Sequence, residues 1–322
     1  LIWLSEIILQ QTRVDQGLSY YYKFASEFPA VRDLAEADEE KVLKLWQGLG
    51  YYSRARNLHA AAKYIHTELE GKFPSDFNSI KKLKGVGDYT AAAIASFAFG
   101  QCHAVVDGNV YRLLSRVFGI STPIDSTKGR KEFAELANTL IYKKDPATYN
   151  QAVMEFGAVQ CKPVNPDCKG CVLNIMCAAY EKGKVSSLPV KEKTTKTRDR
   201  YFNYLVINHT GKLLLSKRVE KDIWKNLYDF PLIESNQQLT EEELINSSEL
   251  QKFVPKDFTI HKVSPVYKHI LSHQKIYARF WEISVKKAYT LSGENIISVR
   301  EPELEKYAVP RLVENYLNER KK

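Results

Sequence analysis

The chain has 322 residues, a length that points to two domains, and its 44% hydrophobic and 26% charged residues are those of an ordinary globular protein, which excludes a disordered chain. Net charge is +9, compatible with a polyanionic partner, yet only residues 181–200 are locally basic, with seven Lys/Arg against three Asp/Glu. A uniformly basic surface is thereby excluded, so a nucleic acid would be held by a local patch and by backbone donors.

The chain opens inside an apolar segment, Leu1-Ile2-Trp3-Leu4, and a further N-terminal piece is expected before it. That segment lacks the basic region and small-residue cleavage site of a signal peptide. The longest apolar stretch, Ala91 to Phe99, is too short to span a bilayer, so a cytoplasmic protein with no membrane partner is expected. Glu6 stands within Trp3-Leu4-Ser5-Glu6-Ile7-Ile8-Leu9. Glu is seldom buried unpaired, and desolvation there would raise its pKa and favour the protonated form that a general acid needs. A solvent-facing or ion-paired Glu6 is the alternative.

Residues 1–180 read as almost entirely helical. Helical spacing recurs in Val42-Leu45-Trp46, Leu58-Ala62-Ile65 and Leu113-Leu114-Val117-Phe118, with Gly or Pro punctuation at Pro29, Gly48, Gly50, Gly71 and Pro74. In Gly48-Leu49-Gly50-Tyr51-Tyr52-Ser53-Arg54-Ala55-Arg56, an aromatic or aliphatic side chain can wedge into a base stack while Arg holds phosphates. A helix start with core tyrosines reads equally well. Next, a helical segment, Asn78 to Leu83, leads through Gly85-Val86-Gly87 into a small-residue helix, Thr90 to Phe99. Paired glycines permit a tight turn, and the free N–H groups of the following helix suit a phosphate, although an ordinary αα-turn has the same composition. Cys102, after that helix, is expected to be a small buried thiol. In Val105-Val106-Asp107-Gly108-Asn109-Val110, both Asp and Asn are good helix caps. Asn109 is expected to be the cap, leaving Asp107 free to project.

Cys161, Cys168, Cys171 and Cys177 follow with the spacing C-x6-C-x2-C-x5-C. Four thiolates so close can wrap one tetrahedral ion or an iron–sulfur cube. Four-cysteine zinc sites come as two C-x2-C knuckles, and this run has one, so a [4Fe–4S] cluster is favoured over zinc. Disulfides are disfavoured because nothing else points to secretion. Residues 181–200 are charged, contain Pro189 and lack periodicity, as in an interdomain linker. Beyond them Tyr201–Ile207 and Lys212–Leu215 flank His209-Thr210-Gly211 as a β-hairpin, Ile276–Ile283 reads as a strand, and Val309 to Leu317 as a closing helix begun by Pro310. The expected fold is therefore a helical domain over 1–180, a linker over 181–200 and a small α+β domain over 201–322.

Five motifs in order resemble the adenine DNA glycosylases, the MutY family of the helix–hairpin–helix superfamily that includes endonuclease III: Leu4-Ser5-Glu6-Ile7-Ile8-Leu9-Gln10-Gln11-Thr12, Gly48-Leu49-Gly50-Tyr51-Tyr52, Gly85-Val86-Gly87, Val106-Asp107-Gly108-Asn109-Val110 and the cysteine run. The resemblance implies a monomeric enzyme of base excision repair that hydrolyses the N-glycosidic bond of adenine mispaired with 8-oxoguanine, or guanine, in double-stranded DNA. It implies that Gln11 and Tyr51 enter the duplex, that Leu49 contacts DNA, that Gly85 and Gly87 grip phosphate, and that Glu6 protonates the extruded adenine. Asp107 would stabilise the sugar cation, Asn109 would orient the acidic pair, and Tyr89 would line the pocket. Lyase relatives place a lysine where this chain has Tyr89, which cannot form an imine, so a monofunctional glycosylase is expected over an endonuclease III-like lyase. The cysteine run would hold a [4Fe–4S] cluster that shapes a DNA contact surface with Lys162 and Lys169. A non-catalytic iron–sulfur DNA-binding module is a further alternative. The second domain resembles the family's Nudix-like domain without the R-E-x-x-E-E hydrolase run, and so without its carboxylates for Mg²⁺. There Leu271, Ser272 and His273 stand where the family has Phe-Ser-His, and Ser272 would accept from the N7–H that distinguishes 8-oxoguanine.

Overall fold

A computed structural model describes residues 1–192, 197–285 and 295–320; residues 193–196 of the expected linker lie outside the described residues. The chain forms two compact units interleaved in sequence, one built from residues 1–35 and 60–194, the other from 36–59 and 195–322. Among the described residues no helix is long and apolar enough to cross a membrane.

Helices dominate the first 180 residues: α1 (Ile2–Leu9), α2 (Val14–Glu27), α3 (Val31–Glu36), α4 (Glu39–Trp46), α5 (Ser53–Glu68), α6 (Phe77–Lys81), α7 (Asp88–Phe99), α8 (Gly108–Phe118), α9 (Thr127–Leu140), α10 (Pro146–Val159) and α11 (Ala178–Glu181). In the first unit α7 is the central element. Its residues Thr90 to Ser96 are all buried, as expected of a helix apolar on every side, and the run Ala91-Ala92-Ala93 keeps it thin enough for α1 and α10 to pack against it. Asn150 of α10, 2% exposed, donates to Ser96 Oγ at 2.9 Å and to His103 O at 2.9 Å and accepts from Val105 N at 3.0 Å. One buried amide thus fixes the strand-like segment that leads into α8.

Cys102 departs from expectation. Helix α7 ends at Gly100 in a left-handed conformation (φ 64°), and the chain has left the core by Cys102, which is exposed with its Sγ 3.5 Å from Lys143 O.

The second unit is an α+β domain on a mixed eight-stranded sheet. Its strands are β1 (Arg198–His209), β2 (Lys212–Lys217), β3 (Tyr228–Asp229), β4 (Leu232–Ser235), β5 (Phe258–Val263), β6 (Tyr267–Ile270), β7 (Gln274–Val285) and β8 (Ile296–Arg300). The central order is β3-β2-β1-β7-β5; β4 also pairs with β1, β6 with β7 and β8 with β2. The expected hairpin is present as antiparallel β1 and β2, while β1 and β7 run parallel from Arg198↔Gln274 to His209↔Val285. Residues Phe202 to Ile207 are buried without alternation, as a strand covered on both faces requires. On one face Leu205, Ile207, Trp281 and Ile283 pack with Leu244 of α12 (Glu241–Ile245). On the other, the Phe280 ring stacks on Tyr316 of α13 (Arg311–Arg320) at 3.9 Å between centroids. Helix α4 belongs to this unit: Lys44 Nζ donates to Tyr307 O at 3.1 Å, and Tyr228 Oη donates to Glu40 Oε1 at 2.8 Å.

Candidate active site

Glu6 and Asp107 line one cavity of about 710 Å³ in the first unit, together with Gln10, Gln11, Gly87, Tyr89 and Met154. That size suits a nucleobase with part of its sugar. Helix α1 sends Trp3, Ile7 and Ile8 into the core, so Glu6 emerges at its edge, partly covered. Burial pushes the Glu6 carboxyl up to about 7. Near neutral pH it therefore retains a protonated population, which a general acid needs. Its neighbour Gln10 donates to Thr90 Oγ1 at 3.0 Å and ties the end of α1 to α7.

Asp107, not Asn109, caps α8. Asp107 Oδ1 accepts from Asn109 N at 2.9 Å and Val110 N at 2.8 Å. The physical reason is backbone geometry: Asp107 has the extended conformation of a cap, and Asn109 already lies in the first turn. Capping uses one carboxylate oxygen. The other, Oδ2, accepts from Asn109 Nδ2 at 2.8 Å. Asn109 is held in turn, because Arg112 Nη2 donates to Asn109 Oδ1 at 2.9 Å and Arg112 Nε to Cys161 O at 2.7 Å. Gly157 of α10 allows this close approach, since a Cβ there would stand 2.8 Å from Asn109 O.

Tyr89 reaches the same cavity, its hydroxyl 4.0 Å from Met154 Sδ. Burial first, then the charges of Glu6 and Asp107, raise its phenol far above the ordinary value. Tyr89 is thus a neutral hydroxyl within electrostatic reach of both carboxylates.

Gly85, at φ 82°, makes the turn that no other residue makes without strain. Gly87 is the N-cap of α7 and carries no side-chain cap, so the first N–H groups of the helix point outward. A Cβ at Gly87 would meet nothing within 4 Å. Local packing therefore does not call for glycine at this position.

Two expected wedge residues carry backbone strain. Gln11, exposed at the cavity rim, has φ 54°, and Tyr51, 48% exposed, has φ 46°. Non-glycine residues in the left-handed region mark functional sites more often than chance. Leu49 does not join them. It is 4% exposed, withdrawn into the packing of its unit. Nor do the arginines of that segment face outward. Arg54, 7% exposed, lies over Trp46 and donates to Gly50 O at 3.2 Å, and Arg56 donates to Lys225 O at 2.8 Å. These guanidiniums build the turn that presents Tyr51.

The four cysteines of the run line a second cavity, walled by Leu113, Val117, Phe156 and Leu173. Burial, then the three neighbouring thiols, push the Cys168 thiol up. Among the described residues no group of three or more His, Cys, Asp or Glu converges on a single ion. Four thiols lining one cavity are a donor set that either a tetrahedral ion or an iron–sulfur cube can use. Arg116, 3% exposed, donates to Lys162 O at 2.7 Å and lies 3.5 Å from Cys161 Sγ. Lys162 and Lys169 are exposed on this loop. Neither Arg112 nor Arg116 was among the expected site residues. Their signal in the sequence is two arginines four apart on the face of an apolar helix.

In the second unit Leu271, Ser272 and His273 form a tight turn between β6 and β7, closed by Leu271 N donating to Gln274 O at 2.8 Å. Ser272 and His273 are exposed, and Leu271 is half-buried.

Residues 4–139 match the family model of HhH-GPD superfamily base excision DNA repair proteins, and residues 203–319 match a NUDIX domain. The chain is 33% identical over 273 residues to the adenine DNA glycosylase of Buchnera aphidicola subsp. Schizaphis graminum, covering 84% of this chain and 78% of that protein. Over 322 residues it is 31% identical to the adenine DNA glycosylase of Buchnera aphidicola subsp. Acyrthosiphon pisum, covering 98% and 89%. Among solved structures a thermostable thymine-DNA glycosylase is similar with a TM-score of 0.53 and 31% identity, over 56% of this chain and 83% of that one.

Proposed function

Because the chain belongs to the adenine DNA glycosylase family, we propose that it excises adenine paired with 8-oxoguanine and that Glu6 and Asp107 carry out the chemistry. The observation that carries this reading is the convergence in one cavity of a carboxyl raised to about 7 and a carboxylate held by three hydrogen bonds. Two titratable groups with such different environments take the roles of acid and ionic stabiliser.

Adenine must leave the base stack to reach the cavity. Glu6 delivers its proton to N7 as the C1′–N9 bond breaks, and the bonding pair leaves with the base. The sugar becomes cationic at C1′, opposite the Asp107 carboxylate. Water then adds to C1′, and the ionised Glu6 takes up the proton released. Asn109 and Arg112 keep Asp107 in place throughout. Tyr89 walls the pocket and offers no amine, so no imine forms and the strand is left uncut.

The exposed N-cap of α7 holds a DNA phosphate, with Gly87 as the point of closest approach. Gly87→Ala accordingly leaves thermal stability within about 0.5 kcal/mol of the parent. Duplex affinity in a direct binding measurement falls about tenfold, the size of one lost bond to a charged oxygen. Unchanged affinity would remove Gly87 from the interface.

Cys161, Cys168, Cys171 and Cys177 are the ligands that would hold a [4Fe–4S] cluster. Such a cluster, when bound, fixes the loop that presents Lys162 and Lys169 to phosphates, and the bond-breaking chemistry does not pass through it.

The test of the whole reading is base release from three duplexes, with 8-oxoguanine:adenine, guanine:adenine and thymine glycol. The first is expected to react fastest, the second more slowly and the third not at all, with no borohydride-trapped protein–DNA adduct. Release from thymine glycol alone, or an efficient covalent adduct, would overturn it.

A further inference from the structure

The turn that carries Ser272 is wired to a buried amide. Ser272 Oγ lies 3.2 Å from His273 Nδ1, and His273 Nε2 lies 3.1 Å from Gln274 Nε2. Gln274 is only 5% exposed. On its far side Gln274 Oε1 accepts from Arg200 Nη1 at 3.1 Å. The Arg200 guanidinium is itself fixed, bonded to both oxygens of Asp222 at 3.1 Å and to both oxygens of Glu234 at 2.8 and 2.6 Å.

Each bond in this row dictates the next. A guanidinium only donates, so the Gln274 atom facing Arg200 is the oxygen. The other end of that amide is then the NH₂, which only donates, so the imidazole nitrogen facing it carries no proton. A neutral His273 ring must hold its proton on Nδ1, where it donates to Ser272 Oγ. Ser272 therefore keeps its own hydroxyl proton and one free lone pair for a ligand.

We propose that Gln274 is a positioning residue for purine reading: it fixes the His273 tautomer and so leaves Ser272 with one donor and one acceptor site. This rests on the reading of the Ser272 turn as the contact to the base opposite adenine. Guanine presents an acceptor at N7 and 8-oxoguanine a donor. A Ser272 with both sites open answers either purine, which lets the enzyme act on guanine:adenine as well as 8-oxoguanine:adenine pairs.

Gln274→Glu reverses the row with little change of shape. A carboxylate accepts from Arg200 and from the ring alike, so His273 carries its proton on Nε2, and Nδ1 takes the Ser272 hydroxyl proton. Ser272 then only accepts. It still matches the N7–H of 8-oxoguanine, but it meets guanine N7 lone pair to lone pair.

The experiment is ¹⁵N NMR of the histidine-labelled full chain in alkaline buffer, with single-turnover excision from both duplexes. The expected result is an Nδ1–H tautomer in the parent and Nε2–H in Gln274→Glu. Excision from 8-oxoguanine:adenine should stay within about twofold, while excision from guanine:adenine falls about tenfold or more. The same tautomer in both proteins overturns the proposal. A switched tautomer with an unchanged ratio of the two rates overturns the purine-reading role and the Ser272 contact beneath it, while base excision itself stands. Should Gln274→Glu fail to fold, Gln274→Met removes both polar ends at similar volume and is expected to show mixed tautomers; retention of pure Nδ1–H there equally overturns the proposal.

Discussion

Glu6→Gln is expected to lower single-turnover adenine excision by about 10²–10⁴-fold, the usual worth of a positioned general acid. Gln is nearly isosteric and keeps the packing of α1 but has no proton to give. The parent rate should be highest below pH 7 and fall as pH rises through about 7, where the Glu6 proton is lost. The variant should show no such fall. Parent stability should fall with pH alongside the rate, whereas the substitution that lowers the rate should raise stability. The folded-state pKa, about 7, lies above the ordinary 4.5, so between those values the folded chain holds a proton that the unfolded chain has released. Parent stability therefore declines as pH rises across that window, by on the order of 3 kcal/mol in total, and is level above it. Glu6→Gln escapes this decline and should unfold at higher temperature than the parent at pH 8, with the gap closing towards pH 4.5. A residue that costs the fold while serving the reaction has this double signature. Excision by the variant at the parental rate would end the assignment of Glu6 as the acid.

Asp107→Asn separates capping from chemistry. The Asn oxygen can still accept from Asn109 N and Val110 N, so the cap of α8 survives. What is lost is the bond from Asn109 Nδ2, because the new amide sets a donor against a donor. The stability cost should be about 1 kcal/mol, one hydrogen bond. The excision cost should be on the order of 10³-fold, because the negative charge facing the sugar cation is gone. Single-turnover rates measured well below the unfolding temperature decide the matter. If Asp107 were only a cap, the variant would work near the parental rate wherever it is folded.

Much of this was legible in the residues, and the reasons differ from site to site. A carboxylate in Trp3-Leu4-Ser5-Glu6-Ile7-Ile8-Leu9 declares its burial because its neighbours are apolar over two helical turns. Gly85 and Gly87 declare a turn because one of them needs a backbone conformation other residues avoid. The β1–β2 hairpin follows from two apolar and aromatic runs flanking the turn residues His209-Thr210-Gly211. Asp107 and Asn109 were harder, because both residue types cap helices and only the backbone angles choose between them. Cys102 was misplaced because exposure is set by where the chain turns, at Gly100, and not by the residue itself. Arg112 could not be assigned its partners, since Asn109 is local but Cys161 lies 49 residues on. Helix α4 gave no sign that it belongs with the β-sheet, because its amphipathic face fits any apolar partner.

That interleaving separates two kinds of task. The Tyr51 turn and the Ser272 turn lie in the same compact unit, whereas Glu6, Asp107 and Gly87 lie in the other. With the roles proposed above, reading of the base opposite adenine is assigned to a different unit from excision, although the segments alternate along one polypeptide. Fidelity can then drift without touching the catalytic carboxylates, and catalytic power can fall while lesion discrimination persists. Variants of this enzyme should accordingly sort into careless ones and slow ones, and a cut in the linear sequence near residue 190 would return neither task whole, because residues 36–59 would be left with the wrong half.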